Sequence, residues 1–472
     1  MNIKFLPDKA MRIHFAKIPI KFIGTDVIQD SFEEAVYEQA YRVANLPHIS
    51  SLAFMPDAHI GKGTCIGTMA AWEEKNALVS PSVVGVDIGC GMRLIRTPLT
   101  PSDFSKETLR KLMQAIESRI PMGAGKKVDD PLLDEHDTSK AIHGWCGKLA
   151  DTVGLDRETA LANVVPGSFR DFFQIDESPI ISSRAWQRGF DTLGTLGGGN
   201  HFAEVQVVSV LEPDIAKQWG LSDNQVVIEI HSGSRGFGYQ IADDYIKFFG
   251  ELMDLWGIVR EDKDLVYAPL STKEGQDYFH AQQAACNFSV LNRLIMSYNI
   301  KEALKEVMGA EGSDLCDIIH NYVVREGNHI VHRKGATAAY PAGHNMIKGT
   351  PFENTGFPIL IPGSMGTASY ILQPLPGASE TCFTVNHGAG RRMSRRQANS
   401  EIPTDRFENQ MSQILVNERN LANIKDEAPD AYKDIDEVIK SVEMAGLAKV
   451  VARCTPIAVM KGSDVEFRRR RK

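Results

Sequence analysis

The 472-residue chain is 43% hydrophobic, 24% charged and 8% aromatic, a balance that excludes a mainly disordered or fibrous protein and leaves enough apolar residues for a large core. Its formal net charge of −8 argues against coating nucleic acid by bulk charge, though not against a local basic channel. No run approaches the roughly 18 consecutive apolar residues of a membrane span, and the opening MNIKFLPDKAMRIHF carries charges where a secretion signal would be apolar, so a cytoplasmic protein without a membrane partner is expected.

Helix-like and strand-like patterns alternate without an internal repeat or low-complexity linker, which predicts one mixed α/β domain over residues 1–472. In chain order the predicted elements are a helix over 30–46, strands over 83–88 and 92–95, a helix over 105–119 and a glycine-broken polar loop over 122–138. Strands over 202–210 and 226–230, helices over 237–256 and 277–308, strands over 357–361 and 382–385, and a helix over 405–424 follow. Within 105–119, Leu109, Leu112, Met113 and Ile116 fall at i, i+3, i+4 and i+7, one buried helix face. The strands are rich in β-branched or aromatic residues and bounded by glycine or polar residues. Seven scattered cysteines, an odd number, predict free thiols rather than a disulfide framework. Two basic clusters stand out: Arg391, Arg392, Arg395 and Arg396, and the tail from Arg468 to Lys472. Either can meet phosphate, and the tail reads equally as a solvated end.

Glycines gather where short strands end and carry polar side chains with them: VDIGCG at 86–91, LGGGNH at 196–201, HSGSRG at 231–236, PGSMG at 362–366 and NHGAGR at 386–391. Such loops let main-chain amides approach a ligand. Asp87 and Cys90 have a D-x-x-C spacing that a turn can fold onto one point. With His201, His231 and His320 they make one thiolate, one carboxylate and three imidazoles, enough for two ions if the thiolate bridges. This set suits Mn²⁺, Zn²⁺, Co²⁺ or Fe²⁺ better than Mg²⁺ or Ca²⁺. His387, flanked by glycine and followed by Arg391 and Arg392, reads either as a nucleophile toward phosphorus or as a sixth metal ligand. Lys461, ending an apolar strand, is equally ambiguous. His59 shares a loop with Asp57 and Lys62, and His329 and His332 precede the basic loop RKGAT. His14, His48, His136, His143, His280 and His344 lack such settings and read as surface or packing residues.

PDAHIGKG from Pro56, VDIGCGM, GGGNHFAE, HSGSRG, HN at 320, HRKGAT, PGSMGTASY, NHGAGR, APDAY and VMKG at 459–462 occur in the order found in the RtcB family of GTP-dependent RNA-splicing ligases, which the chain resembles over nearly its whole length. The resemblance implies a family-specific mixed α/β fold whose sheets surround a deep dinuclear-metal cleft. Cys90 resembles the thiolate that bridges two Mn²⁺ ions, with Asp87 and His201 on one ion and His231 and His320 on the other. His387 resembles the histidine that becomes covalently guanylylated. Asn200, Glu204, Ser364, Tyr432 and Lys461, with the Gly388, Ala389 and Gly390 backbone, match nucleotide contacts, and Asp57 matches an active-site aspartate. The implied reaction joins RNA ends bearing a 2′,3′-cyclic phosphate or 3′-phosphate to 5′-hydroxyl ends, with GTP as cosubstrate, in tRNA splicing or RNA repair. An archease-type activator is a candidate partner. Arg235, Arg333, Lys334, Arg391 and Arg395 are candidate RNA or phosphate contacts. Lys62 and Cys65 depart from the family's first loop, and the segment 248–278 is longer than the family pattern, which bears on substrate choice. A two-metal hydrolase would use the same ligands but has no need of a covalent nucleotide, and a non-catalytic RNA binder has no need of the intact ligand set.

Overall fold

The computed structural model describes residues 15–170, 180–418 and 420–462, so the basic tail from Arg468 lies outside the described residues. The architecture is mixed α/β. In the larger sheet seven strands follow one antiparallel path: Ile359–Ile361, Ser369–Pro374, Ala448–Met460, Phe202–Val210, Val226–Ser232, Gly91–Arg96 and Ser313–Ile319. Leu415–Val416 adds in parallel beside the far end of Ala448–Met460. A second sheet orders Lys21–Phe22, Ile49–His59, Ile66–Glu73, His329–Lys334 and Asn321–Glu326. The short pair Ala336–Ala338 and Thr384–Asn386 completes the wall that carries His387.

The 36-residue helix Lys273–Met308 is the spine between these parts. Thr272 caps its start by accepting from the Gly275 amide at 3.2 Å, and Gly309, at φ 63°, ends it in the left-handed conformation. Its middle is buried almost all round, so it has no polar face; its polar side chains are used inside the protein. Asn292 donates to the Thr195 and Gly233 carbonyls and accepts from the Gly194 amide, tying two glycine loops together. Helix Lys106–Arg119 packs Leu109, Leu112, Met113 and Ile116 with Val205, Ile228, Ile300 and Leu304, the face its sequence pattern predicts.

Several predicted boundaries change. Residues 83–88 form no strand: Ser80 accepts from the Val83 amide, Pro81 takes the first helical position, and the short helix Pro81–Val84 leads into the turn that bears Asp87. The helix predicted over 405–424 is Thr404–Gln410, followed by Leu415–Val416 and the 3₁₀ segment Leu421–Glu427. Burial of Phe407, Met411 and Ile424 in one small cluster explains its helix-like spacing without continuous helix. Cys382 and Phe383, at φ 46° and 50°, cannot extend a strand, which therefore starts at Thr384. The helix over 30–46 divides into Asp26–Asp30 and Glu34–Ala44, and the 122–138 loop ends where Asp134 caps helix Glu135–His143.

Beneath the larger sheet's loop-bearing end, Arg293 and Arg93 share Asp317. Arg293 donates to both carboxylate oxygens, at 2.8 and 2.6 Å, and Arg93 to one at 2.9 Å. All three side chains are buried. Asp317→Ala should therefore destabilise the fold by about 3–5 kcal/mol, because the buried Arg293 loses its counter-charge and Arg93 keeps only Asp314. Urea unfolding of the variant checks this; a loss under about 1 kcal/mol would contradict the buried pairing.

Candidate active site

Four adjacent strands converge at one end of the larger sheet. His201 immediately precedes Phe202–Val210, His231 lies at the end of Val226–Ser232, Cys90 immediately precedes Gly91–Arg96, and His320 immediately follows Ser313–Ile319. Their antiparallel register pairs Phe202 with His231, Gly91 with Ser232, and Gly91 with Ile319, so alternating strand starts and ends meet in one place. Cys90 Sγ lies 3.4 Å from His201 Nε2 and 3.2 Å from His231 Nε2. Ligand atoms of these three buried residues lie within 4.8 Å of one another. Asp87 Oδ2 reaches His201 Nε2 at 2.9 Å, and the His320 ring centroid is 5.3 Å from that of His231. Gly233 is required beside Asp87, since a Cβ there would stand 2.3 Å from the carboxylate.

This donor set fits a transition-metal centre. Burial first, then the neighbouring cationic groups, hold His231 and His320 well below the ordinary imidazole range, so both are neutral with lone pairs to offer. Burial, reinforced by the Asp87 charge, pushes the Cys90 thiol well up, a cost that a bound cation would reverse. The buried Nδ1 atoms of His231 and His320 have no hydrogen-bond partner among the described residues. With a thiol and a carboxylate beside them, these neutral imidazoles make a donor set suited to a transition-metal ion.

His387 faces this cluster from the opposite wall, its ring centroid 4.9 Å from that of His320. Asp57, fully buried, accepts with Oδ2 from the His387 amide at 3.0 Å, from the Gly388 amide at 3.3 Å and from His387 Nδ1 at 2.6 Å. That contact makes Nδ1 the protonated nitrogen and leaves the Nε2 lone pair free. Gly335, at φ 60°, admits the ring, because a Cβ there would lie 3.0 Å from His387 Cε1. Asp87, Cys90, His320 and His387 line one cleft of about 220 Å³ with Lys62, Asn200, Asn321 and Lys334.

The matched nucleotide positions lie beside this cleft. Lys461 Nζ donates to the His201 carbonyl at 3.2 Å and stands 3.7 Å from Glu427 Oε2. Glu427, which sequence reading missed although it precedes the APDAY motif by one residue boundary, is a buried hub: Arg391 and Arg395 pair with it at 3.3 and 2.9 Å, and Tyr432 donates its hydroxyl to it. Gln206 joins Glu204 to Glu229 at 2.9 and 2.8 Å and reaches Ser369 Oγ at 3.1 Å, which accepts from the Gly363 amide next to Ser364. Ser364 itself is buried, its amide donating to Thr367 Oγ1.

The candidate phosphate contacts fare differently. Arg333 is fully buried and all its donors are engaged, by Thr384, Tyr322, Glu326 and the Cys382 and Phe383 carbonyls, so it holds the fold and is not an RNA contact. Lys334, buried and pulled down to about 7 by desolvation, donates to the Lys62, Thr64 and Ser82 carbonyls and ties loops together. Arg235 Nη1 reaches His201 Nδ1 at 3.0 Å, placing it behind the Cys90–His201–His231 cluster, and Arg391 points inward to Glu427, Tyr432 and the Asp426 carbonyl. His332 is packed against Trp72 and accepts from the Ser80 amide.

A family profile described as tRNA-splicing ligase RtcB matches residues 39–462. The chain belongs to the RtcB family of RNA ligases. Among its RtcB relatives, the tRNA-splicing ligase RtcB of Thermococcus kodakarensis is 38% identical, the alignment covering 96% of each chain. Those of Methanococcus maripaludis and Archaeoglobus fulgidus are 34% and 35% identical, covering 94% of this chain and 95% of each relative. The resemblance drawn from the RtcB motifs thus extends over the described fold. Among the described residues no helix is long and apolar enough to cross a membrane.

Burial pushes Glu204 up to about 8, with the Glu229 charge adding to it, and pushes Glu229 up to about 7. A carboxyl whose folded value exceeds its unfolded value of about 4.3 holds its proton more tightly when folded, so its stabilisation is present at low pH and lost as pH rises toward the folded value. Glu204→Gln should therefore gain stability over the native chain, on the order of 1–3 kcal/mol, between about pH 5 and 8.5. Urea unfolding at both pH values checks this, and a pH-independent difference would refute a buried, proton-holding Glu204.

Proposed function

We propose that this chain seals RNA ends bearing a 2′,3′-cyclic phosphate or 3′-phosphate to 5′-hydroxyl ends, using GTP and a covalent His387–GMP adduct, and that residues 1–472 act as one catalytic unit. The observation that supports it most is the Asp57–His387 contact, which leaves Nε2 free in the cleft of the metal-ligand cluster. Family membership supports the same reading.

Asp87, Cys90, His201, His231 and His320 would hold two Mn²⁺ ions, with Cys90 shared between them. When bound, such ions neutralise phosphate charge and align reacting oxygens. The remaining work falls to the chain's own groups. Water opens the cyclic phosphate to a 3′-phosphate. His387 Nε2 attacks the α-phosphorus of GTP, a P–N bond forms, the bond to the bridging oxygen breaks, and pyrophosphate leaves. Asp57 offsets the positive charge that develops on the ring. The RNA 3′-phosphate then attacks the adduct, taking GMP and freeing His387. Finally the 5′-hydroxyl oxygen of the second RNA attacks the activated 3′-phosphate, loses its proton, and releases GMP. The histidine divides one difficult displacement into two easier ones.

Nucleotide choice follows from the buried groups beside Lys461. An ionised carboxylate there accepts from guanine N1–H and N2–H, whereas adenine offers an acceptor at N1. Leaving such a group unpaired costs about 1–3 kcal/mol, so GTP should exceed ATP in adduct yield by roughly 5- to 150-fold. Labelled nucleotide and Mn²⁺ followed by denaturing electrophoresis reads this directly; equal yields would refute the guanine pocket, and no adduct at all would favour a two-metal hydrolase.

His387→Ala should abolish the adduct while metal content, read by elemental analysis, stays near the native level. It should still seal RNA already carrying a 3′-guanylyl end. Loss of metal together with the adduct would move His387 into the ligand set. Cys90→Ser should lose more than half of the bound Mn²⁺ and all sealing activity, because the serine hydroxyl stays protonated where a metal-bound thiol does not. Two tightly held ions in that variant would exclude a bridging Cys90.

A further inference from the structure

Behind the Asp57–His387 pair lies a buried lysine that the reaction above does not use. Lys433, 9% exposed, follows Tyr432 in the chain, and its amide donates to the Gly390 carbonyl at 2.9 Å, at the end of the loop that carries His387. Its Nζ donates to the Pro56 carbonyl at 3.0 Å and the Ala58 carbonyl at 2.8 Å, on either side of Asp57, and lies 4.4 Å from the centroid of the buried Phe32 ring.

The stretch it grips is irregular. Within strand Ile49–His59, Ser51 to Phe54 pair in register with Ile66–Glu73, and the register shifts before His59. Between those points the backbone has left the ladder, and the carbonyls of Pro56 and Ala58 need other donors. Lys433 supplies both. The His59 ring sits on the same bend, its Nδ1 2.8 Å from the Asp57 carbonyl oxygen, and burial holds that histidine down to about 4, hence neutral. Lys433 is thus the cation placed on this bend beside the Asp57 carboxylate. Burial draws it down to about 8 against the opposing pull of Asp57, Cys65 and Glu33.

We propose that Lys433 is a positioning residue for nucleotide transfer: by clamping the carbonyls flanking Asp57 to the segment hydrogen-bonded to the His387 loop, it holds Asp57 where it orients the His387 ring. One residue thereby connects three parts of the site: Tyr432, the Gly388–Gly390 backbone and the carboxylate behind the nucleophile. Among the described residues the hydrogen bonds of the Lys433 ammonium run to the carbonyls flanking Asp57 and not to a nucleotide-contact or metal-ligand side chain, so removing them falls on the rate of attack rather than on GTP affinity. The inference rests on the His387–GMP reading.

Its test is single-turnover adduct formation with labelled GTP and Mn²⁺ over a range of GTP concentrations. Lys433→Met keeps the aliphatic stem and removes both hydrogen bonds and the charge. The rate at saturating GTP should fall about 100-fold, the size expected when a reacting group is misplaced by an ångström, while the half-saturating GTP concentration changes less than about 3-fold. Lys433→Arg should recover most of the rate. In an Asp57→Asn background the Met substitution should add less than about 3-fold, since both act through one orientation of His387. A saturating rate within about 3-fold of native, a loss expressed only in half-saturation, or fully independent losses in the double variant would each overturn the inference. Should Lys433→Met fail to fold by its thermal transition, Lys433→Gln carries the same comparison. Absence of an adduct in the native protein would instead overturn the reading of His387 itself.

Discussion

The architecture of the site depends on one buried guanidinium. Arg293, in the middle of the 36-residue helix, donates to the Gly89 carbonyl at 3.0 Å and the Ser232 carbonyl at 2.8 Å while its other nitrogens hold Asp317. Gly89 precedes Cys90, Ser232 follows His231, and Asp317 lies three residues before His320. One side chain therefore fixes three of the elements that carry the candidate metal ligands. A buried charge is costly unless every donor is paired, and here the pairing partners are the loops whose positions matter.

That constraint explains how the fold itself keeps chemically demanding groups together. The strands pair in alternating directions, so their ends rather than their faces meet, and the ladder sets the spacing of Cys90, His201, His231 and His320. Asn321 adds to this order, donating to the Asp87 carbonyl and accepting from the Gly335 amide. The result links the wall of candidate metal ligands to the loop that admits His387.

The opposite wall works by a different principle. There a single carboxylate oxygen accepts from two main-chain amides and an imidazole nitrogen, so the fold and the orientation of the His387 ring are held by the same atom. The arginines nearest the site turn inward. Arg391 and Arg395 meet Glu427, Arg235 meets His201, and Arg333 is sealed, so these guanidiniums are engaged by groups of the fold itself.

The candidate site residues were legible in the sequence because glycine-rich strand ends and rare residue types stand close together there: Asp87 with Cys90, His201 after three glycines, His387 before Gly388. The mixed α/β class and the buried face of Lys106–Arg119 were legible from periodicity. The 405–424 stretch misled because residues of one apolar cluster can be spaced like a helix face while the backbone turns between them. Only the tertiary structure decided what distant residues do to one another. Nothing local distinguishes Arg333 in HRKGAT as a sealed ion-pair partner rather than a phosphate contact, or marks Glu427 and Lys433 as buried hubs. Their roles depend on desolvation and on carbonyls hundreds of residues away, as with Lys433 and Pro56, and those are properties of the folded interior.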